Sequence, residues 1–237
     1  MRFLSLITMV CVALFIAFPV AAQEQAVEGS QAMDVVSFQR AFNEMNRIKP
    51  LQNPRYKLAY DILDRHITDS QNKIIGELED VLINSKGEVI SLMVEFDRLR
   101  LNQDVFLNYG ALGVINADDS YKLPLRDEDV VNLYPELLSQ IETASGTQGD
   151  VVNVMSLIGR PVINEKNKRI GKVTDILFDT KTGNHIKGVH VNVSYKTIRN
   201  EGVALPYAAL QLEETYDGIN VRVEQAFSDI IIQHVKN

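Results

Sequence analysis

Apolar and polar residues alternate over much of the chain, which is the period-two pattern of half-buried β-strands. The clearest case is residues 189–193, where three valines alternate with a histidine and an asparagine. Similar alternation occurs at residues 92–96 and 218–223. Polar turn sequences separate these segments from other short apolar runs. The pattern predicts a mainly β protein.

One segment near the start of the chain has helical spacing instead. Its apolar residues recur at intervals of three and four behind Asp34, a good N-cap, and Pro50 and Pro54 prevent continuation. We expect an amphipathic helix over about 34–48 that packs on the neighbouring domain. A helix that docks on a partner or on a membrane surface is the alternative. The apolar positions are Val35, Phe38, Phe42, Met45 and Ile48.

An internal repeat is the most informative feature of the sequence. Residues 65–84 return, changed but without a gap, as residues 160–179. Two copies at this long period indicate a duplicated domain, since solenoid arrays have periods of roughly 20–50 residues and three or more repeats. The repeated positions with the most distinctive side chains are Arg65, Gly76 and Asp80 in the first copy and Arg160, Gly171 and Asp175 in the second.

The repeated glycines and aspartates have structural explanations. Gly76 and Gly171 suit either a positive φ or a close approach of another backbone. Asp80 and Asp175 lie among apolar residues and are predicted to accept backbone N–H bonds at a strand bend; a functional carboxylate is the alternative. The sequence therefore assigns these positions to the fold rather than to a reaction.

The repeat divides the chain into segments. A polar start and the helix occupy residues 23–56, a first β domain residues 57–141, and a linker of small residues 142–152. Residues 153–237 form the second domain, which we expect to fold independently. Each copy also contains a Leu-Pro pair, and short helices are expected after each β unit. The pairs are Leu123-Pro124 and Leu205-Pro206, and the helical segments are 127–131, 135–141 and 227–235.

The second copy resembles the PRC-barrel family of small β-barrels. The resemblance rests on residues 157–162, 170–179 and 205–207, with Gly183 and Gly188 between them. It covers about 153–225 well, and the first copy, about 58–126, more loosely. The resemblance implies two barrels in tandem and a module for binding and assembly, with no catalytic residue to carry over.

The first residues predict export. Arg2 precedes an apolar run, and small residues end at Ala22 before a polar start, which is the pattern of a signal peptide over 1–22. Cleavage would place the protein in the periplasm; an uncleaved N-terminal anchor is the alternative. Cys11, the single cysteine, lies within the apolar run. The formal charge of −7 argues against nucleic acid as a partner.

The sequence lacks the motifs of common enzymes, phosphate-binding loops and metal sites. The four histidines are His66, His185, His190 and His234. Only His185 and His190 are close in sequence, and five positions along a continuous strand place them on opposite faces. We therefore predict no catalytic, cofactor or metal-binding residues. The expected function is non-enzymatic protein binding or assembly, with a membrane complex among the possible partners. The alternative is a small ligand or cation held between the barrels.

Overall fold

The structure is a computed structural model that describes residues 33–97, 105–108, 115–116, 120–130, 132, 151–179, 181, 184–195 and 198–236. The predicted signal peptide, the polar start up to residue 32, the helical segment at 135–141 and most of the linker lie outside these residues. No helix in the described ranges is long and apolar enough to cross a membrane.

The first half of the chain contains one longer helix and several strands. Their bounds are α1 Val35–Asn46, β1 Tyr56–Leu58, α2 Ala59–Leu63, β2 His66–Thr68, β3 Ile74–Ile83, β4 Val89–Phe96, β5 Val105–Asn108, β6 Ile115–Asn116 and β7 Ser120–Lys122. Residues 127–130 are helical as well, as the sequence predicts.

The second half repeats this order with longer strands and ends in a helix. Its elements are β8 Val152–Asn153, α3 Val154–Leu157, β9 Pro161–Asn164, β10 Arg169–Asp179, β11 Ile186–Tyr195, β12 Ile198–Pro206, β13 Gln211–Thr215, β14 Gly218–Val223 and α4 Gln225–His234. The closing helix is confirmed.

Within the described residues, the two halves form two seven-stranded sheets of the same topology. The first sheet has the order β5-β4-β3-β2-β7-β6, and the second has the order β12-β11-β10-β9-β14-β13. In each sheet one pair is parallel, β2 with β7 and β9 with β14, and the other neighbours are antiparallel. The duplication seen in the sequence is therefore a duplication of strand order.

Within the described residues, both sheets are open. The sequence predicts barrels, and neither sheet closes into one. β12 and β13 stand at opposite ends of the second sheet and do not pair. Asn46 at the end of α1 occupies the outer edge of β12, where its side-chain amide donates to the Ala204 carbonyl and accepts from the Ala204 N–H, both at 2.8 Å. The helix thus covers an edge that barrel closure would need.

The hairpin before each long strand is formed in the same way in both halves. Asp69 and Asn164 accept backbone N–H bonds from residues two and four positions later, at 2.8 and 2.9 Å in the first half and 3.1 and 2.9 Å in the second. Asn72 and Asn167 then adopt positive φ values of 65° and 57°. A short polar side chain makes this conformation accessible, which explains an asparagine at both positions.

The amphipathic helix forms as predicted but packs on the second sheet instead of the adjacent first one. Asp34 caps it by accepting from two backbone N–H groups of the first turn. Phe38 and Phe42 are fully buried, and the Phe38 ring stacks on Phe227 of α4 with centroids 4.2 Å apart. Two of the predicted apolar positions, Val35 and Ile48, remain exposed, and Ile48 lies beyond the end of the helix at Asn46. One continuous hydrophobic core includes residues of both halves.

The two Leu-Pro pairs do not occupy equivalent places in the fold. Leu205-Pro206 ends β12, where Leu205 pairs with Val189. Leu123-Pro124 follows β7 instead, and β7 corresponds to β14. Segments of different length between the strands shift the alignment of the two copies beyond β3 and β10.

Candidate interaction site

In each half a short strand and a helical turn come directly before the first long hairpin of the sheet, and we call these two elements an arm. The first arm is β1 and α2, residues 56–63, and the second arm is β8 and α3, residues 152–157. The first arm pairs with β10 in the second sheet, and the second arm pairs with β3 in the first sheet. The arms are therefore exchanged between the halves.

The exchange has the same register in both directions. Leu58 of the first arm lies opposite Leu177, and Asn153 of the second arm lies opposite Leu82. These pairs are equivalent in the repeat, since the sequences align without a gap in this region. The two halves are thus related by an approximate two-fold operation at this contact.

The repeated aspartates hold the arms. Asp175 accepts the N–H of Ala59 in the first arm at 3.0 Å, and Asp80 accepts the N–H of Met155 in the second arm at 3.1 Å. Each carboxylate also accepts the N–H of the next residue in its own strand, at 2.8 and 2.7 Å respectively. The predicted backbone hydrogen bonds are present, and their second donor comes from the other half of the chain.

Both carboxylates are buried, with 4% of Asp80 and 7% of Asp175 exposed. Burial raises the pKa of both carboxyl groups, and the backbone N–H bonds offset part of that effect. For Asp175, the negative charge of Asp61 in the arm raises the pKa further. The two aspartates thus share burial, a raised pKa and a hydrogen bond from the exchanged arm, although the donors, Ala59 and Met155, are one position apart in the repeat.

The repeated arginines join each arm to the sheet that follows it in sequence. Arg65 and Arg160 each donate from Nε to the carbonyl four residues earlier, at 3.3 and 2.9 Å. The Arg65 guanidinium also lies 5.3 Å from the centre of the Tyr121 ring, whereas Arg160 donates to the Asp217 carbonyl at 2.7 Å. In both halves the arginine fixes the bend between arm and sheet.

Close backbone approach explains the repeated glycines. A Cβ on Gly76 would lie 2.4 Å from the Glu95 carbonyl oxygen, and one on Gly171 would lie 2.7 Å from the Asn192 carbonyl oxygen. Positive φ occurs at other positions, including Gly87. Of the two explanations offered by the sequence, close approach is the one found.

The halves also meet where β4 and β11 begin. A single antiparallel bridge joins Glu88 to His185. Two backbone hydrogen bonds flank it: Val89 donates to the residue before His185 at 2.9 Å, and Ile186 donates to the residue before Glu88 at 2.7 Å. Because each bond is the counterpart of the other, the approximate two-fold axis passes through this bridge.

Two open cavities lie near these contacts. One, of about 930 Å³, runs along α2 and is called the α2 groove; the other, of about 510 Å³, lies at the bridge and is called the junction cavity. The α2 groove is lined by Lys57, Tyr60, Asp61, Leu63, Asp64, Arg65 and His66. The junction cavity is lined by Glu88, Val89, Ile90, Asn184, His185 and Lys187.

The histidines lie apart from one another. His66 is on β2 at the α2 groove, and His234 packs its ring edge-on against Phe42. His190 is buried, and its Nδ1 is 2.6 Å from the Thr174 hydroxyl; burial lowers the pKa of His190. Burial and the nearby Lys187 lower the pKa of His185. The described ranges contain no cluster of three or more His, Cys, Asp or Glu placed to hold a metal ion.

Sequence reasoning missed the arms. A weak signal was present, because the repeat continues upstream of Arg65 and Arg160 in apolar character. Ala59 corresponds to Val154 and Ile62 to Leu157, and all four are buried. The alignment could have shown that a common element precedes each half. It could not have shown that the elements are exchanged.

Comparison with known proteins agrees with the fold of the second half. The chain matches no curated protein. Residues 149–230, which include the second arm and the strands from β9 to β14, match the family model of the PRC-barrel domain.

Proposed function

We propose that the protein is a non-enzymatic binding or assembly module of the periplasm, built from two PRC-barrel-type repeats and released by cleavage after Ala22. Its partner is another protein, and components of membrane complexes are among the candidates. The common strand order of the two sheets supports a divergent first repeat of the same type. The repeated Arg and Asp side chains bond to backbone groups, which supports a structural role for them.

The α2 groove is the observation that carries this proposal. Tyr60 is 63% exposed on the outer side of α2, beside the arginine and histidine of the groove. Tyrosine is enriched in the central parts of protein interfaces, because its large side chain combines apolar area with hydrogen bonding. Met155, the counterpart of Tyr60 in the second arm, is also an exposed apolar side chain, at 41%. An exposed aromatic beside a groove of mixed charge suits a protein partner.

Affinity capture from cell-envelope extracts tests this function. We expect the wild-type chain to retain one partner in fixed stoichiometry, and Tyr60→Glu to lose it, since a buried charge opposes binding. Tyr216→Glu is the matched control, because Tyr216 is fully exposed in the turn between β13 and β14 and does not line the groove. Equal recovery of the partner by all three proteins would contradict the assignment of the groove.

The junction cavity supports the second candidate function, which is binding of a small ligand or cation. Both halves contribute to its lining, and it holds Glu88, His185 and Lys187. A ligand bound only by the native state raises the melting temperature by mass action. A thermal shift with a divalent cation or a small metabolite that disappears in Glu88→Gln would favour this candidate over the first.

A further inference from the structure

The contact between the two halves has the organisation of a symmetric subunit interface. Three elements of the first half reach the second sheet: the first arm pairs with β10, α1 packs on β12, and the bridge joins the starts of β4 and β11. The second arm makes the reciprocal contact with β3. In a homodimer such reciprocity would define an isologous interface.

The interface also distinguishes the halves from each other. Gly87 has a φ of 79°, and a Cβ there would lie 2.8 Å from the Tyr207 ring. The counterpart of Gly87 in the second half is Asn184, so a pair of two second halves would place a side chain against that ring. The same pair would put His185 opposite His185 at the axis, in place of the observed Glu88. Pairing of a first half with a second half is therefore favoured over pairing of two second halves.

We propose that the two halves form an arm-exchanged pair held together by noncovalent contacts, so that the β10 edge with Asp175 binds the strand–helix arm of a first half even when the chain is cut between the halves. The occupant is a segment with the sequence of residues 56–63, presented by a folded first sheet. The second sheet and the arm need not belong to one polypeptide. This differs from the independent folding that the linker composition predicts, and it does not rest on the α2 groove.

The full-length chain allows a direct test. A specific protease site is inserted between Gly146 and Thr147, within the linker, and the purified protein is cleaved after folding. We expect the two pieces to remain together as a one-to-one complex in gel filtration and native mass spectrometry. After separation under denaturing conditions and mixing, they should reassemble with each other.

A proline substitution isolates the arm contact. Ala59 is the first residue of α2, where proline fits a helix, and Leu58 has φ −79° and ψ 158°, which is compatible with a following proline. Ala59→Pro removes the N–H that Asp175 accepts and leaves the second half unchanged. We expect it to weaken reassembly at least tenfold, which corresponds to about 1.4 kcal/mol.

Val35→Pro is the matched control. Val35 is the first residue of α1, and the cap on that helix uses the N–H groups of the next two residues. This variant should reassemble as the wild type does. The proposal is overturned if the cleaved halves separate into two folded monomers, if either half pairs with itself in preference, or if Ala59→Pro and Val35→Pro reassemble equally well.

Discussion

Adding a single methyl group to either repeated glycine tests whether strand spacing constrains these positions. At Gly171 the added Cβ would lie 2.7 Å from the Asn192 carbonyl oxygen and 2.7 Å from Cγ1 of Val191. At Gly76 the nearest atom is the Glu95 carbonyl oxygen, at 2.4 Å. These oxygens belong to the backbone of the neighbouring strand, which is held by the hydrogen bonds of the sheet. The neighbouring strand must move, because neither the added Cβ nor the backbone carbonyl oxygen that it meets can rotate out of the clash.

The expected cost follows from two opposing effects. Overpacking of this kind typically costs about 1–3 kcal/mol. Replacing glycine by alanine also restricts the unfolded chain, which returns about 0.4–1 kcal/mol. We therefore expect Gly171→Ala to lower the free energy of unfolding by about 1–2 kcal/mol, and Gly76→Ala to lower it more, because its contact is shorter.

Urea denaturation of the full chain measures both changes. Lys172→Ala is the control for the second sheet, since Lys172 is the next residue of β10 and is exposed. It should change stability by less than about 0.5 kcal/mol. If glycine were there only by chance, alanine or valine would be neutral or stabilising, because β-branched residues favour strands. An unchanged or higher midpoint for Gly171→Val would refute the reasoning.

Three further predictions concern the turns, the buried carboxylates and the sheet edge. Asn72→Ala and Asn167→Ala should each destabilise by about 1 kcal/mol because of positive φ, whereas glycine at either position should cost less in the same denaturation assay. Because burial raises the folded-state pKa of Asp80 and Asp175 above the ordinary 3.8, the native state gains from protonation, and this contribution is lost as pH rises through the folded pKa values. Wild type should therefore lose stability relative to the double variant Asp80→Asn with Asp175→Asn as the pH rises above the ordinary 3.8, and parallel pH profiles would contradict this. Asn46→Ala leaves two backbone groups of the edge strand unpaired and should cost about 1–3 kcal/mol, with faster hydrogen exchange in α1.

The elements predicted well from the sequence have strong local periodicity. The alternation of residues 189–193 predicts β11, and the spacing of apolar residues after Asp34 predicts α1 together with its cap. Long strands and longer helices repeat their pattern often enough to be recognised without tertiary information. The sequence did not predict that α1 would pack on the second sheet. The apolar stripe shows which face of the helix is buried, but it does not show which sheet that face contacts.

The arms could not be predicted for a physical reason. β8 has two residues and α3 has four, which is too short for either period to be expressed. Their stability comes from pairing with a distant sheet and from a buried aspartate of the other half. The sequence therefore predicts that Asp175 accepts backbone N–H bonds. That one of the donors is Ala59 could be learned only from the fold.

A comparison of equivalent positions in the two halves separates residues with a structural role from candidate binding residues. Positions that are identical in both halves, such as Asp80 and Asp175, perform the same reciprocal contact, so their identity is explained by arm docking. A binding site for one partner does not need to be duplicated. Its residues are then expected where equivalent positions differ, and the exposed Tyr60, whose counterpart is a methionine, is such a position. The α2 groove meets this criterion with an exposed side chain as well as a cavity, which is why the binding experiment begins there.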